Sequence, residues 1–141
     1  MISFSNQTED FRLPNPNETK EWLNRSIQAE GKITGDLNFI FCNDSYLSQI
    51  NTKYLKHSSL TDIITFSNSN NQKIISGDVF ISIERVRDNA QSLNSSFEAE
   101  LSRVIVHGVL HLIGYDDHTI TEKQQMRSKE DYYLHLQAEK K

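Results

Sequence analysis

The chain has 141 residues, 36% of them apolar and 24% charged, a composition that suits one folded domain and excludes a disordered chain. Its net charge of −4 excludes a sheath of positive potential around a duplex, but not a local basic groove on a short single strand. The longest apolar run, residues 104–113, is broken by two histidines and a glycine and is too short to span a bilayer.

The first residues, Met-Ile-Ser-Phe-Ser-Asn-Gln, lack the basic and apolar regions of a secretion signal. The lone cysteine, Cys42, excludes an internal disulfide and fits a reducing cytoplasm; it reads as a small apolar residue at the end of a strand. Pro14 and Pro16 punctuate the approach to a first helix, with Asn17 as N-cap and Glu18 and Glu21 in the first turn, where the helix dipole favours anions. Trp22, Leu23 and Ile27 form its apolar face and Gly31 closes it. Residues 32–42 carry Ile33, Leu37, Phe39 and Phe41 in a largely alternating pattern, which predicts a strand. Asn43 or Asp44 caps a second helix running to about Leu55, with Tyr46, Leu47, Ile50 and Tyr54 facing inward.

Residues 63–66 and 79–83 are rich in β-branched and aromatic side chains and read as strands of one sheet joined by a polar loop. Residues 84–92 predict a short helix. Ser95 or Ser96 caps the main helix, with Glu98 and Glu100 next; Phe97, Leu101, Val104, Ile105 and Leu112 supply its apolar face, and Gly114 ends it. A last helix covers about residues 121–137. Helices at both ends and strands in the middle predict a single α+β domain over residues 1–141, with a small mixed β-sheet packed with helices.

The chemistry is concentrated in His107-Gly-Val-Leu-His111-Leu-Ile-Gly114-Tyr-Asp-Asp117-His118. Residues four apart on a helix lie on one face, so His107 and His111 can present both imidazoles to a single ion. Gly114 breaks the helix and returns Asp116, Asp117 and His118 as further ligands. Two or three nitrogens and an oxygen suit zinc, and three protein ligands leave a fourth position for water. Both histidines sit in an otherwise apolar stretch, where an unpaired imidazole is costly to bury. The bland alternative is a core helix whose histidines bond to backbone carbonyls. Zincin proteases carry their general base, Glu, directly after the first histidine; Gly108 stands there, which disfavours a peptidase on what is otherwise a zincin-like metal helix.

The segment His-Gly-Val-Leu-His-Leu-Ile-Gly-Tyr-Asp is similar to the His-Gly-x-Leu-His-Leu-x-Gly-Tyr-Asp-His motif of the YbeY family, spacers included. Leu60-Thr-Asp-Ile-Ile-Thr-Phe66 resembles that family's Pro-Thr-Asp-Val-Leu-Ser-Phe strand, Gly77-Asp-Val-Phe-Ile-Ser82 resembles its Gly-Asp-Ile-x-Ile-Ser strand, and Met126 and Glu130 fit the Met-x-x-x-Glu of its last helix. The family's third ligand is a histidine ten residues after the first; Asp117 holds that position here and His118 follows it. Unbroken spacing from Gly114 to Met126 favours Asp117 as third ligand, with His118 the alternative. The family also carries an arginine shortly before its Thr-Asp strand, where Leu55 stands in this chain. Leucine cannot grip phosphate as a guanidinium does, so Lys53, Lys56 and His57 are the nearest candidates for substrate contact, with Lys56 joining His107 and His111 as a catalytic candidate. Asp116 reads either as an orienter of a ligand imidazole or as a turn residue, and Tyr115 as packing.

The resemblance implies a cytoplasmic endoribonuclease holding one Zn2+ per chain and acting on single-stranded RNA. It also implies a role in 3′-end maturation of small-subunit rRNA and in ribosome quality control. The partners implied are an rRNA precursor and the small ribosomal subunit or its associated proteins, with no membrane. Two other readings stand beside it: a non-catalytic ribosome-assembly factor with structural zinc, and a metal-dependent hydrolase of another substrate.

Overall fold

A computed structural model describes residues 1–8, 10–55 and 61–139. Four strands, β1 (Ile2–Asn6), β2 (Ile33–Cys42), β3 (Ile63–Ser67) and β4 (Ile74–Ser82), form one mixed sheet in the order β1-β2-β4-β3. β1 and β4 both run parallel to β2, pairing Phe4 with Phe39 and Phe39 with Val79, while β3 is antiparallel to β4, pairing Thr65 with Val79. Parallel neighbours need a crossover. α1 (Pro16–Ala29) supplies it between β1 and β2; α2 (Asp44–Ile50) and β3 lie between β2 and β4. α3 (Ile83–Ser92), α4 (Phe97–Ile113) and α5 (Ile120–Glu139) follow.

Strand side chains alternate between faces, and here the two faces are covered unequally. Leu37, Phe39 and Phe41 of β2, with Val79 and Ile81 of β4, are buried in the main core together with Trp22, Leu23 and Ile27 of α1 and Leu101, Ile105 and Val109 of α4. Each such side chain contributes about 1.5–3 kcal/mol by leaving water. On the other face Cys42 and Ile64 form a smaller cluster with Leu47 of α2, flanked by Phe66 and Phe80. Burial, with the nearby Asp44 charge, pushes the Cys42 thiol up to about 12, so it stays protonated at neutral pH and acts as packing.

α4 is the central helix. It packs on β3 and β4 and is flanked by α3 and α5. Gly108 is the close-approach point: a Cβ there would lie 2.8 Å from Ile63 Cδ1 and 3.0 Å from Val79 Cγ1. The glycine therefore lets the helix that carries His107 and His111 sit against the sheet. α1 is tied to α5 by a hydrogen bond from the buried Trp22 Nε1 to the Tyr133 carbonyl, 2.7 Å.

Several elements differ from the sequence reading. The N-terminus opens on β1 rather than on a helix; Ile2 and Phe4 alternate inward, but the strand forms by pairing with β2, thirty-odd residues away. α1 starts two residues earlier, with Pro16 in its first turn and Asn15 in the left-handed region (φ 50) in place of an Asn17 cap. The second helix ends as α-helix at Ile50 and continues as a π-helical turn over Asn51–Leu55. β4 begins at Ile74 rather than Val79, because Gly77 is a strand residue here. A side chain at Gly77 would collide with the Phe66 carbonyl oxygen on β3.

Candidate metal centre

Ser96 caps α4, its hydroxyl accepting the Ala99 N–H at 3.1 Å, and Gly114 terminates the helix at φ 128. Between these ends the helical repeat puts His107 and His111 on one face, with ring centroids 4.6 Å apart. The chain then reverses. The Tyr115 N–H returns to the Leu110 carbonyl at 3.0 Å, and the connection to α5 closes in a capping box. There Thr119 Oγ1 accepts the Glu122 N–H at 3.0 Å, while Glu122 Oε1 accepts the Thr119 and His118 N–H groups at 2.9 and 3.1 Å.

This turn carries Asp117 back over the helix. Its Oδ2 lies 3.5 Å from Nε2 of His107 and 3.5 Å from Nε2 of His111. Among the described residues these three side chains form the group able to hold a metal, with ligand atoms within 4.8 Å of one another. His118, one residue on, has an exposed side chain and is not part of the group. Asp116 is exposed as well.

Behind the imidazoles lies a second layer. Glu130 of α5, 5% exposed, places Oε2 at 2.5 Å from His107 Nδ1. A carboxylate only accepts, so the neutral ring carries its proton on Nδ1 and turns the Nε2 lone pair toward Asp117. The other Glu130 oxygen accepts from Arg103 Nη1 at 2.7 Å, and Arg103 Nη2 reaches Asp131 at 2.7 Å. Burial disfavours charge on His107, but hydrogen bonding and charge from Glu130, with Asp117 and Asp62 adding to it, raise its pKa above the ordinary value. Asp62, just before β3, is close enough to interact with His107. Burial pushes its carboxyl upward, partly opposed by the His107 charge, and Asn89 Nδ2 donates to it at 3.4 Å. Buried Glu100, two helical turns before His107 on the same side of α4, is also shifted up by burial and by Asp62.

The donor set fits a zinc ion: two imidazole nitrogens and a carboxylate oxygen converge, one imidazole is oriented from behind, and Gly108 leaves no room for the glutamate of a protease. Sequence reasoning did not anticipate the roles of Glu130, Asp62 and Glu30. Glu130 entered only as part of a motif, and nothing local to Glu30, which holds Tyr115 and two groups of α5 from the end of α1, hints at a tie to the histidine turn.

The proposed phosphate contacts are less sharply defined. Lys53 lies exposed in the π-helical turn, and Lys56 and His57 fall outside the described residues. Three arginines that could grip phosphate are engaged: Arg85 with Asp44 (2.8 Å) and Asp88 (3.2 Å), Arg87 with Asp10 (3.2 Å), and Arg103 as above. A surface groove of about 740 Å³ is lined by Phe11, Trp22, Phe97 and Leu101 toward the other end of α4 and contains none of the three candidate ligands. No described helix is long and apolar enough to cross a membrane.

A small α+β scaffold with two helical histidines and a returning carboxylate defines a protein built around a candidate metal site. Residues 3–137 match the family model described as endoribonuclease YbeY, and the chain belongs to that family of enzymes. It is 50% identical over 124 residues to the endoribonuclease YbeY of Amoebophilus asiaticus, covering 88% of this chain and 84% of that protein. It is likewise 50% identical over 131 residues to the endoribonuclease YbeY of Flavobacterium johnsoniae, covering 93% of each. Its fold is similar to the solution structure of TM1509 from Thermotoga maritima, with a TM-score of 0.65 and 26% identity over 95% of this chain and 87% of that one.

Proposed function

We propose that the chain is a zinc-dependent endoribonuclease specific for single-stranded RNA, acting in 3′-end maturation of small-subunit rRNA and in ribosome quality control in the cytoplasm. The observation that carries the reading is the placement of one Asp117 oxygen 3.5 Å from both histidine Nε2 atoms; family membership supplies the substrate class. His107, His111 and Asp117 are the proposed ligands. Bound there, zinc would supply Lewis-acid polarisation of a phosphoryl oxygen or of water.

The chain's own residues do the rest. Glu130 fixes the His107 ring and its tautomer, and Arg103 holds Glu130 in turn. Lys53, Lys56 and His57 are the proposed cationic wall along which phosphates are held while one is attacked, with Lys56 the proposed catalytic member of the three. The proposed partners are an rRNA precursor and the small ribosomal subunit or its associated proteins.

A second reading, a ribosome-assembly factor with structural zinc and no catalysis, is favoured by two observations: Leu55 stands where the family carries arginine, and Arg85, Arg87 and Arg103 are already in ion pairs. Cleavage of single-stranded RNA with and without chelator separates the two. Chelator-sensitive cleavage supports the nuclease; RNA binding with no cleavage at any metal loading supports the assembly factor.

A further inference from the structure

His107 and His111 are fixed by a buried helix, whereas Asp117 belongs to the short connection between α4 and α5. Its position is therefore the adjustable part of the site, and the structure shows what holds it. Hydrogen bonds pin both ends of the connection, backbone to backbone at Tyr115 N–H to the Leu110 carbonyl and side chain to backbone in the Thr119/Glu122 capping box. Two residues before Asp117, the Tyr115 hydroxyl donates to Glu30 Oε1 at 2.6 Å. Glu30 is the C-cap residue of α1, remote in sequence from the turn.

The Glu30 carboxylate is only 8% exposed and is fully engaged. Its Oε2 accepts from Lys129 Nζ at 3.0 Å and from the Tyr133 hydroxyl, both on α5. Lys129 Nζ also lies 5.5 Å from the centre of the Tyr115 ring. One oxygen thus holds the turn and the other holds the last helix. Burying a carboxylate is costly, and a well-packed apolar contact would hold helices together as well or better. An anion with three donors instead sets a fixed geometry, because charge-assisted bonds are short and directional.

We infer that Glu30 is a positioning residue for the metal site, acting through the Tyr115 hydroxyl to set the reach of Asp117; this rests on the reading of His107, His111 and Asp117 as ligands. Zinc takes its carboxylate oxygen at about 2.0–2.2 Å, so a turn free to relax by a fraction of an ångström gives up affinity.

Tyr115 and Tyr133 donate to different oxygens of the same carboxylate, which provides an internal control. Metal-free protein is titrated with Zn2+ against a chromophoric chelator, and its melting temperature is measured without metal. Tyr115→Phe is expected to weaken zinc binding about 10-fold, the size typical of losing a supporting bond, while keeping most of its melting temperature. Tyr133→Phe is expected to lower the melting temperature with no comparable loss of affinity. In an Asp117→Ala background Tyr115→Phe is expected to have no further effect, since the two act through one contact. Unchanged affinity in Tyr115→Phe, or the same loss with and without Asp117, would overturn the inference and leave Glu30 as a brace of the fold. A parent protein that takes up no zinc would overturn the metal reading itself and this inference with it, an outcome distinct from both.

Discussion

His107 Nδ1 and Glu130 Oε2 lie 2.5 Å apart across the packed faces of α4 and α5, and this contact decides which nitrogen of the ring faces Asp117. The last helix therefore takes part in the site although it contributes none of the three converging side chains. Glu130→Gln is expected to weaken zinc binding by about 10-fold and Glu130→Ala by up to about 100-fold, measured by chelator competition. Glu130→Ala also removes the acceptor of Arg103, so its unfolding in denaturant should show a stability loss of about 1–3 kcal/mol, and Glu130→Gln, which keeps a neutral acceptor, a smaller one.

Asp117→Ala is expected to weaken zinc binding by at least about 10-fold, and His118→Ala far less. The His118 side chain is exposed and outside the group of three, while its backbone N–H is engaged with Glu122. The reverse ranking would show that the turn rearranges to bring His118 in.

Gly108→Glu would install the residue of a protease motif, and it is expected to unfold the protein rather than create a peptidase. A carboxylate there would be driven between α4 and the sheet, against Ile63 and Val79, at a cost above about 3 kcal/mol. Gly108→Ala should be far milder, because Ile63 Cδ1 is a mobile side-chain tip and the helix gains about 1 kcal/mol from losing a glycine. Thermal denaturation of the two variants checks the ranking.

The histidine pair was legible because a four-residue spacing on an apolar helix followed by a glycine break is a local pattern. Asp117 was reached from the unbroken count between Gly114 and Met126, and the turn does bring it to the pair. What no local pattern carries is contact between distant segments. β1 has only Ile2 and Phe4 to mark it and forms by pairing with β2. Residue pattern alone starts the fourth strand at Val79; the family resemblance carries it back to Gly77, where the Phe66 carbonyl lies against the glycine. Glu30 meets Tyr115 because α1 ends beside the turn, a fact of tertiary packing alone. The π-helical continuation of the second helix at Asn51 likewise has no signal in residue type.

Glu30 also sets a pH dependence. Burial works against its charge, but hydrogen bonds from Tyr115, Tyr133 and Lys129 hold its carboxyl below the ordinary value of 4.5. A carboxyl depressed in the folded state contributes stability that is complete above the unfolded pKa and is lost as pH falls through the folded one. Glu30→Gln is therefore expected to cost about 2 kcal/mol near neutrality, the scale of bonds to a charged group. The gap to the parent should stay constant down to about pH 4.5 and narrow below it. Unfolding in denaturant at a series of pH values reads this directly; a gap that widens in acid would show that the carboxyl is raised instead.

Zinc content and cleavage of single-stranded RNA, measured on one preparation made without added metal or chelator, test the central claim most directly. The expected result is about one zinc per chain, cleavage abolished by chelator and restored by zinc, and both zinc content and cleavage reduced together in Asp117→Ala. Protein that arrives without metal and takes up none on titration, or cleavage that survives complete removal of the metal, would contradict it.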